Sequence, residues 1–251
     1  MKLMRIKEME EYILTNGTVS LDELCQVFNV SKNTVRRDIN KLTEKGVIKK
    51  VYGGVTAIEK TVLIPFENRT IQNKDAKTKI AHYASRFIED HDLVFIDSGT
   101  TTRSILETLD PNKNVTVLTN SLDIINAAAA LKNINLIIIG SNFKRKTQSF
   151  VGMDDPGTLD KYNINKAFMS ATGATLTHGL TNSDLLEYEI KKKISEKAKE
   201  VYLLADHSKF GKSTLLTYAR FDRLHAIVTS KPLDEDYNQF CQEHKIEIHL
   251  A

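Results

Sequence analysis

Along the first sixty positions the apolar residues recur at helical spacing. Ile6, Met9, Ile13 and Leu14 predict one amphipathic helix over about Leu3 to Leu14. Asn16-Gly17 supplies its stop. Ser20-Leu21-Asp22-Glu23 reads as a capping box, so a second helix starts there with Leu21, Leu24 and Phe28 inside. Asn29-Val30 makes a tight turn. Ser31 then caps a third helix, about Lys32 to Lys45, whose buried side carries Val35, Ile39 and Leu42. Its other side shows Lys32, Asn33, Arg36, Arg37, Asn40 and Lys41. After Gly46, Val47 to Val55 reads as a strand, a turn at Gly53-Gly54 and a second strand: a β-wing.

From Ile58 to Asn73 the periodicity breaks, and Pro65 disfavours a helix at Ile64. This stretch is expected to be a link holding at most a short strand. Beyond Lys74, helical and strand-like segments alternate. Ile80, Ala81, Ala84, Phe87 and Ile88 precede Leu93-Val94-Phe95-Ile96-Asp97. Ile105, Leu106 and Leu109 precede Val115–Leu118, and Leu122–Leu131 precedes Leu136–Ile139. Later strands are expected at Ala167–Ser170, Val201–Ala205, Ala226–Thr229 and Ile246–His249. Near-continuous apolar strands between helices imply an α/β domain, Rossmann-like, with a mostly parallel sheet covered on both faces. The expected division is a mostly helical unit ending in a β-wing over 1–58, a link over 59–73 and an α/β domain over 74–251.

Composition narrows the class. Of 251 residues, 41% are hydrophobic and 27% charged, ordinary for a globular protein with a sizeable core. No apolar run approaches the ~20 residues of a membrane span, and the N-terminus lacks a leader pattern, so a cytoplasmic protein is expected. Cys25 and Cys241 lie near opposite ends, too few and too far apart for a disulfide framework or zinc site. No metal or cofactor is expected. The net charge of +3 is concentrated: residues 1–60 hold 11 Lys and Arg against 8 Asp and Glu, and the rest hold 24 of each. A basic stripe is the footprint of a polyanion partner, although a solvated helix face would carry the same charges.

The helical pattern decides between these. A short helix, a tight turn and a helix with a basic outer face make a helix-turn-helix. Lys32, Asn33, Thr34 and Arg36, near the start of the third helix, are placed to meet base edges of double-stranded operator DNA. Arg37 and Lys41 are better placed for phosphates, and Ser31 can offer helix-start amides to one. The wing adds Lys49, Lys50 and Tyr52. The run Val30-Ser31-Lys32-Asn33-Thr34-Val35-Arg36-Arg37-Asp38-Ile39, with Leu42, Gly46 and Tyr52-Gly53-Gly54, resembles the DeoR-family winged helix. The wing has Lys49-Lys50 where that family often has an arginine.

In doubly wound sheets, ligands sit beyond the carboxyl ends of the strands. The first strand ends in Asp97-Ser98-Gly99-Thr100-Thr101-Thr102 and is expected to lead into a helix. Glycine, hydroxyls and free helix-start amides together can cradle an anion. The second strand ends in Thr119-Asn120-Ser121, and a later one in Asp206-His207-Ser208-Lys209. Helix capping accounts for each hydroxyl cluster equally well on its own. Residues 74–251 resemble the DeoR-type sensor domain, which is similar to ribose-5-phosphate isomerase and glucosamine-6-phosphate deaminase folds. The matching pieces include Asp97–Thr101, Thr119–Ser121, Gly173, Gly179-Leu180-Thr181 and Ala205–Gly211. The resemblance implies a repressor of a carbohydrate operon, a homo-oligomer (dimer or tetramer), controlled by a phosphorylated sugar. It implies Asp97, Ser98, Gly99, Thr100, Thr101, Thr102, Asn120, Ser121, Asp206 and Lys209 as ligand residues. The rival reading is a sugar-phosphate isomerase or deaminase that carries a DNA-binding domain. Isomerisation needs a positioned general base, and Phe168–Thr175 contains no carboxylate, so no catalytic residue and no enzyme are expected.

Overall fold

A computed structural model describes residues 2–44, 48–57, 66–152 and 156–251. Expectations for Lys45, Gly46, Val47 and 58–65, and for the side chain of Leu14, fall outside the described residues. The chain divides into two compact units, Met1–Val62 and Leu63–Ala251.

In the first unit, α1 (Lys2–Asn16), β1 (Thr18–Ser20), α2 (Leu21–Phe28), α3 (Lys32–Glu44), β2 (Ile48–Val51) and β3 (Gly54–Ala57) follow in order. One core gathers Ile6, Met9, Ile13, Leu24, Val35, Ile39, Leu42, Ile48 and Val55. Asn29 stands between α2 and α3 in the left-handed region at φ 48, a conformation asparagine tolerates, and thereby closes the turn. The capping box forms in part. Ser20 Oγ accepts from Glu23 N at 3.1 Å, but Glu23 Oε1 accepts from the Tyr12 hydroxyl at 2.9 Å. Its carboxylate thus ties α1 to α2. The strand β1 was not expected; it adds to the wing in the order β1-β3-β2. Three residues are too few to show a period.

The second unit runs α4 (Phe66–Ile71), α5 (Lys74–Ala84), β4 (Leu93–Ile96), β5 (Val115–Thr119), α6 (Leu122–Ala129), β6 (Ile134–Ile138), β7 (Asn142–Lys144) and β8 (Ser149–Val151). It continues with β9 (Lys166–Met169), β10 (Gly173–Thr175), β11 (Gly179–Asn182), α7 (Leu185–Lys197), β12 (Glu200–Leu204), β13 (Leu216–Ala219), β14 (Ala226–Thr229), α8 (Glu235–Glu243) and β15 (Glu247–Leu250). Seven strands form one sheet in the order β15-β14-β12-β9-β4-β5-β6, and every adjacent pair is parallel. Two apolar clusters cover its faces. The chain builds outward from β4 through β5 to β6, then returns to the other side of β4 with β9. The switch point therefore lies between β4 and β9, where doubly wound sheets hold their ligand crevice.

Two expectations are corrected. Residues 66–71, placed in the link, form α4, with Phe66 buried. Ile105–Leu109 gives only a 3-10 turn at Ile105–Thr108. Thr102 Oγ1 bonds back to the carbonyls of Asp97 (2.6 Å) and Gly99 (2.9 Å), holding the loop in tight turns, and Pro111 disfavours helical backbone just before it. No regular helix start therefore follows β4.

Candidate nucleic-acid interface and anion crevice

The outer face of α3 is set by what its inner face must do. Val35, Asp38, Ile39 and Leu42 are buried, which leaves Lys32, Asn33, Arg36, Arg37 and Lys41 exposed. Ser31, also exposed, starts the helix by accepting from Thr34 N at 3.4 Å, and its hydroxyl lies 3.0 Å from that of Thr34, itself half-buried. Lys32 Nζ rests 2.6 Å from Asp22 Oδ1, an exposed pair that water and salt screen, so a nucleic acid can take the ammonium at little cost. Asp38 is the residue the sequence reading passed over. Its Oδ2 accepts from Arg5 Nε at 2.9 Å and Nη2 at 2.7 Å, clamping α1 against α3. A charge in the middle of an apolar stripe was the available signal.

On the wing, Lys49 and Lys50 are exposed beside Thr56 and Val55 of β3, and Tyr52 stands fully in solvent at the tip. The two glycines have separate causes. Gly53 has φ +76, and a side chain at Gly54 would overlap the carbonyl of Val19 in β1.

In the second unit the expected strand ends are brought together, but not all as ligand groups. Asp97 crosses the switch point: its Oδ2 accepts from Ser170 N at 3.0 Å, from Ser170 Oγ at 2.5 Å and from Lys191 Nζ. It is an internal brace between β4, β9 and α7. Thr102 staples its own loop, and Ser121 caps α6 by accepting from Ile124 N at 3.4 Å. Gly99 is needed because a Cβ there would run into the side chain of Ser170. Ser98, Thr100 and Thr101 are buried in the same loop, and Ser98 Oγ donates to Glu187 Oε1 at 3.3 Å. Asn120 Nδ2 donates to the Phe150 carbonyl at 3.1 Å, while its buried Oδ1 has no partner. Asp206 Oδ1 accepts from Asn73 Nδ2 (2.9 Å) and Ser208 Oγ (2.5 Å), and its Oδ2 is likewise buried and bare. Bare buried acceptors are costly and fit a ligand that brings hydroxyl donors.

Two cations that the sequence reading missed, Lys77 and Arg69, lie near Lys209, and Lys77 also near Asp206. Lys77, from α5, is buried and its Nζ donates to the carbonyl of Arg69 in α4. Burial, helped by the nearby charges of Lys209 and Arg69, pushes the Lys77 ammonium down to about 8. Burial also lowers Lys209, and lowers Arg69 against the pull of Glu187 and Asp97. Burial works to raise Asp206, but bonds from Ser208 and Asn73 and the charge of Lys209 outweigh it and hold the carboxyl low. Glu187 is pushed up by burial. Buried Lys77 and half-buried Arg69 and Lys209 thus lie among one another's charges, a setting that favours an anion. Their signal was weak: Lys77 is one lysine in a helix of mixed polarity. The stripe of α7 hides Glu187 and Lys191 among Ile190 and Ile194, which also blurs the helix itself.

Each of the two units matches a family of known proteins. Residues 5–61 match the DeoR-like helix-turn-helix domain, and residues 72–231 match the DeoR C terminal sensor domain. The chain is 87% identical over its whole length, and the relative's, to the HTH-type transcriptional regulator IolR of Bacillus subtilis (strain 168). It is 26% identical, over 96% of each chain, to the glycerol-3-phosphate regulon repressor of Escherichia coli (strain K12). A ribose 5-phosphate isomerase from Methanocaldococcus jannaschii overlaps 55% of each chain with a TM-score of 0.41 at 21% identity. With matches spanning both units and a relative alike from end to end, the chain belongs to the DeoR family of DNA-binding transcriptional regulators, and is not an enzyme.

Proposed function

We propose that this regulator is a cytoplasmic repressor of a carbohydrate operon, controlled by a phosphorylated sugar. One observation carries the ligand reading: Arg69, Lys77 and Lys209 lie among one another's charges beside Asp206, whose buried Oδ2 is bare. The cations suit a phosphate, and the bare acceptor suits a sugar hydroxyl. The ligand residues are Ser98, Gly99, Thr100, Thr101, Asn120, Asp206 and Lys209, with Lys77 and Arg69 added. Asp97, Thr102 and Ser121 hold the frame. The working division is 1–58 for DNA, 59–73 for the connection and 74–251 for sensing. A homo-oligomer, dimer or tetramer, presents two heads to two half-sites and multiplies a small interface. Among the described residues no helix is long and apolar enough to cross a membrane.

An operator gel shift scanned against phosphorylated sugars tests this reading; a panel that never alters the shift overturns it. Two substitutions test the groove assignment. Arg36→Ala is expected to cost ~1–3 kcal/mol and to relax base preference, as loss of a base contact does. Lys50→Ala is expected to weaken all duplexes alike and lower the salt slope by about 1. Unaltered affinity and preference in Arg36→Ala would remove α3 from the groove.

The low Lys77 value gives a pH signature. Between about 8 and the ordinary 10.5 the unfolded chain holds the proton that the folded chain has lost, so stability rises with pH across that window. A phosphate seated on Lys77 restores the proton. Binding should take up protons near pH 8 and weaken as pH rises through about 8 to 9. Calorimetry in buffers of different ionisation enthalpy reads this; equal heats in all of them would contradict the placement.

A further inference from the structure

α4 is the first described element after residues 58–65, the stretch that follows the wing, and it is fastened to the crevice at several points. Its first amide, Phe66 N, donates to the carbonyl of Lys146 in the β7–β8 turn at 3.2 Å. Lys77 Nζ donates to the carbonyl of Arg69. Asn73, left-handed at φ 51 between α4 and α5, donates to Asp206 at 2.9 Å. The β7–β8 hairpin is itself bound to the ligand loops. Ser149 Oγ donates to Glu187 Oε1 at 2.9 Å, the atom that also accepts from Ser98, and Phe150 exchanges bonds with Asn120. Lys144 pairs with Asp184 at the start of α7.

A helix of six residues does not hold itself together in water, so α4 is ordered by these contacts. Lys77 faces two ways. It grips the α4 backbone, and it lies among the charges of Lys209 and Arg69, where an anion would sit. Glu187 and Asp97 act on Arg69, and Asp206 on Lys77 and Lys209, so the like charges are partly offset. An anion on Lys77 and Lys209 would add attraction on both α4 and α5.

We propose that α4 reports the state of the crevice: an anionic ligand on Lys77 and Lys209 draws in Arg69 and fixes α4, which restricts the chain leading to the DNA-binding unit. The inference rests on the crevice being the ligand site. The signal is a change in order of one short helix, and the sheet need not move. Operator affinity can shift only by the ligand's differential affinity for the fixed and loosened forms.

Hydrogen exchange on the full chain tests this. Peptides spanning 66–76 are followed with and without ribose 5-phosphate, glucose 6-phosphate, fructose 6-phosphate, glycerol 3-phosphate and inorganic phosphate, each also titrated by calorimetry. A probe that binds is expected to slow exchange in 66–76 by about tenfold, while Glu247–Leu250, at the far edge of the sheet, changes less than about twofold. In Lys77→Met, at a ligand concentration that saturates it, the α4 protection should vanish. Should that variant not fold, Asn73→Ala serves: it keeps every cation and is expected to lose at least half of the protection. Binding with unaltered α4 exchange, or full protection in the substituted chains, overturns the inference and leaves the crevice reading standing. Failure of every probe to bind overturns the crevice reading itself.

Discussion

Replacing Asp38 with alanine is expected to melt the DNA-binding unit while the sensor stays folded. Asp38 is fully buried, and two nitrogens of Arg5 converge on one of its oxygens. Removing the acid leaves a guanidinium facing an apolar stripe. Breaking a buried pair in this way costs about 3–5 kcal/mol. The Arg5 side chain keeps 25% of its exposure and can turn toward water, so a smaller loss, about 2–3 kcal/mol, is expected. A unit of some sixty residues has only about 3–5 kcal/mol to lose. Its transition should fall by ~10–20 °C in a calorimetric scan, with the sensor transition in place. Operator binding would be lost at growth temperature although Asp38 touches no nucleic acid. A shift under ~3 °C would show that the clamp contributes nothing.

The second large effect is expected at Asp97. Asp97→Ala leaves the Lys191 ammonium, whose side chain is 6% exposed, without its counter-charge, and leaves Ser170 N without its acceptor. A loss of about 3–5 kcal/mol from the sensor follows. The double substitution Asp97→Ala with Lys191→Met should recover at least ~1 kcal/mol of that, because a matched apolar pair strands no charge. Denaturant melts of the empty protein measure both. If the double variant were as unstable as the sum of the singles, the two side chains would not be coupled. Since no ligand enters the measurement, it separates the brace from a ligand role for Asp97.

Much of this was legible in the chain. The period of Val35, Ile39 and Leu42 placed the exposed face of α3 correctly, because a small core leaves a three-turn helix only one way to lie. The parallel sheet was legible because strands covered on both faces are apolar nearly throughout, as Leu93–Ile96 is. Strands of three residues, β1, β7, β8 and β10, carry no period to read. The crevice was half legible. Hydroxyl and glycine clusters marked the strand ends, but Thr102, Ser121 and Asp97 are spent on their own neighbours, which sequence spacing does not reveal. Lys77 and Arg69 enter from helices that precede the sheet, so only the fold brings them to Lys209.

The wing's two glycines separate what can drift from what cannot. Gly53 is committed by its backbone angle and Gly54 by the Val19 oxygen lying where a methyl would go. Lys49, Lys50 and Tyr52 face water and hold up nothing. Exchanging those side chains on an unaltered hinge is therefore expected to exact no toll on folding.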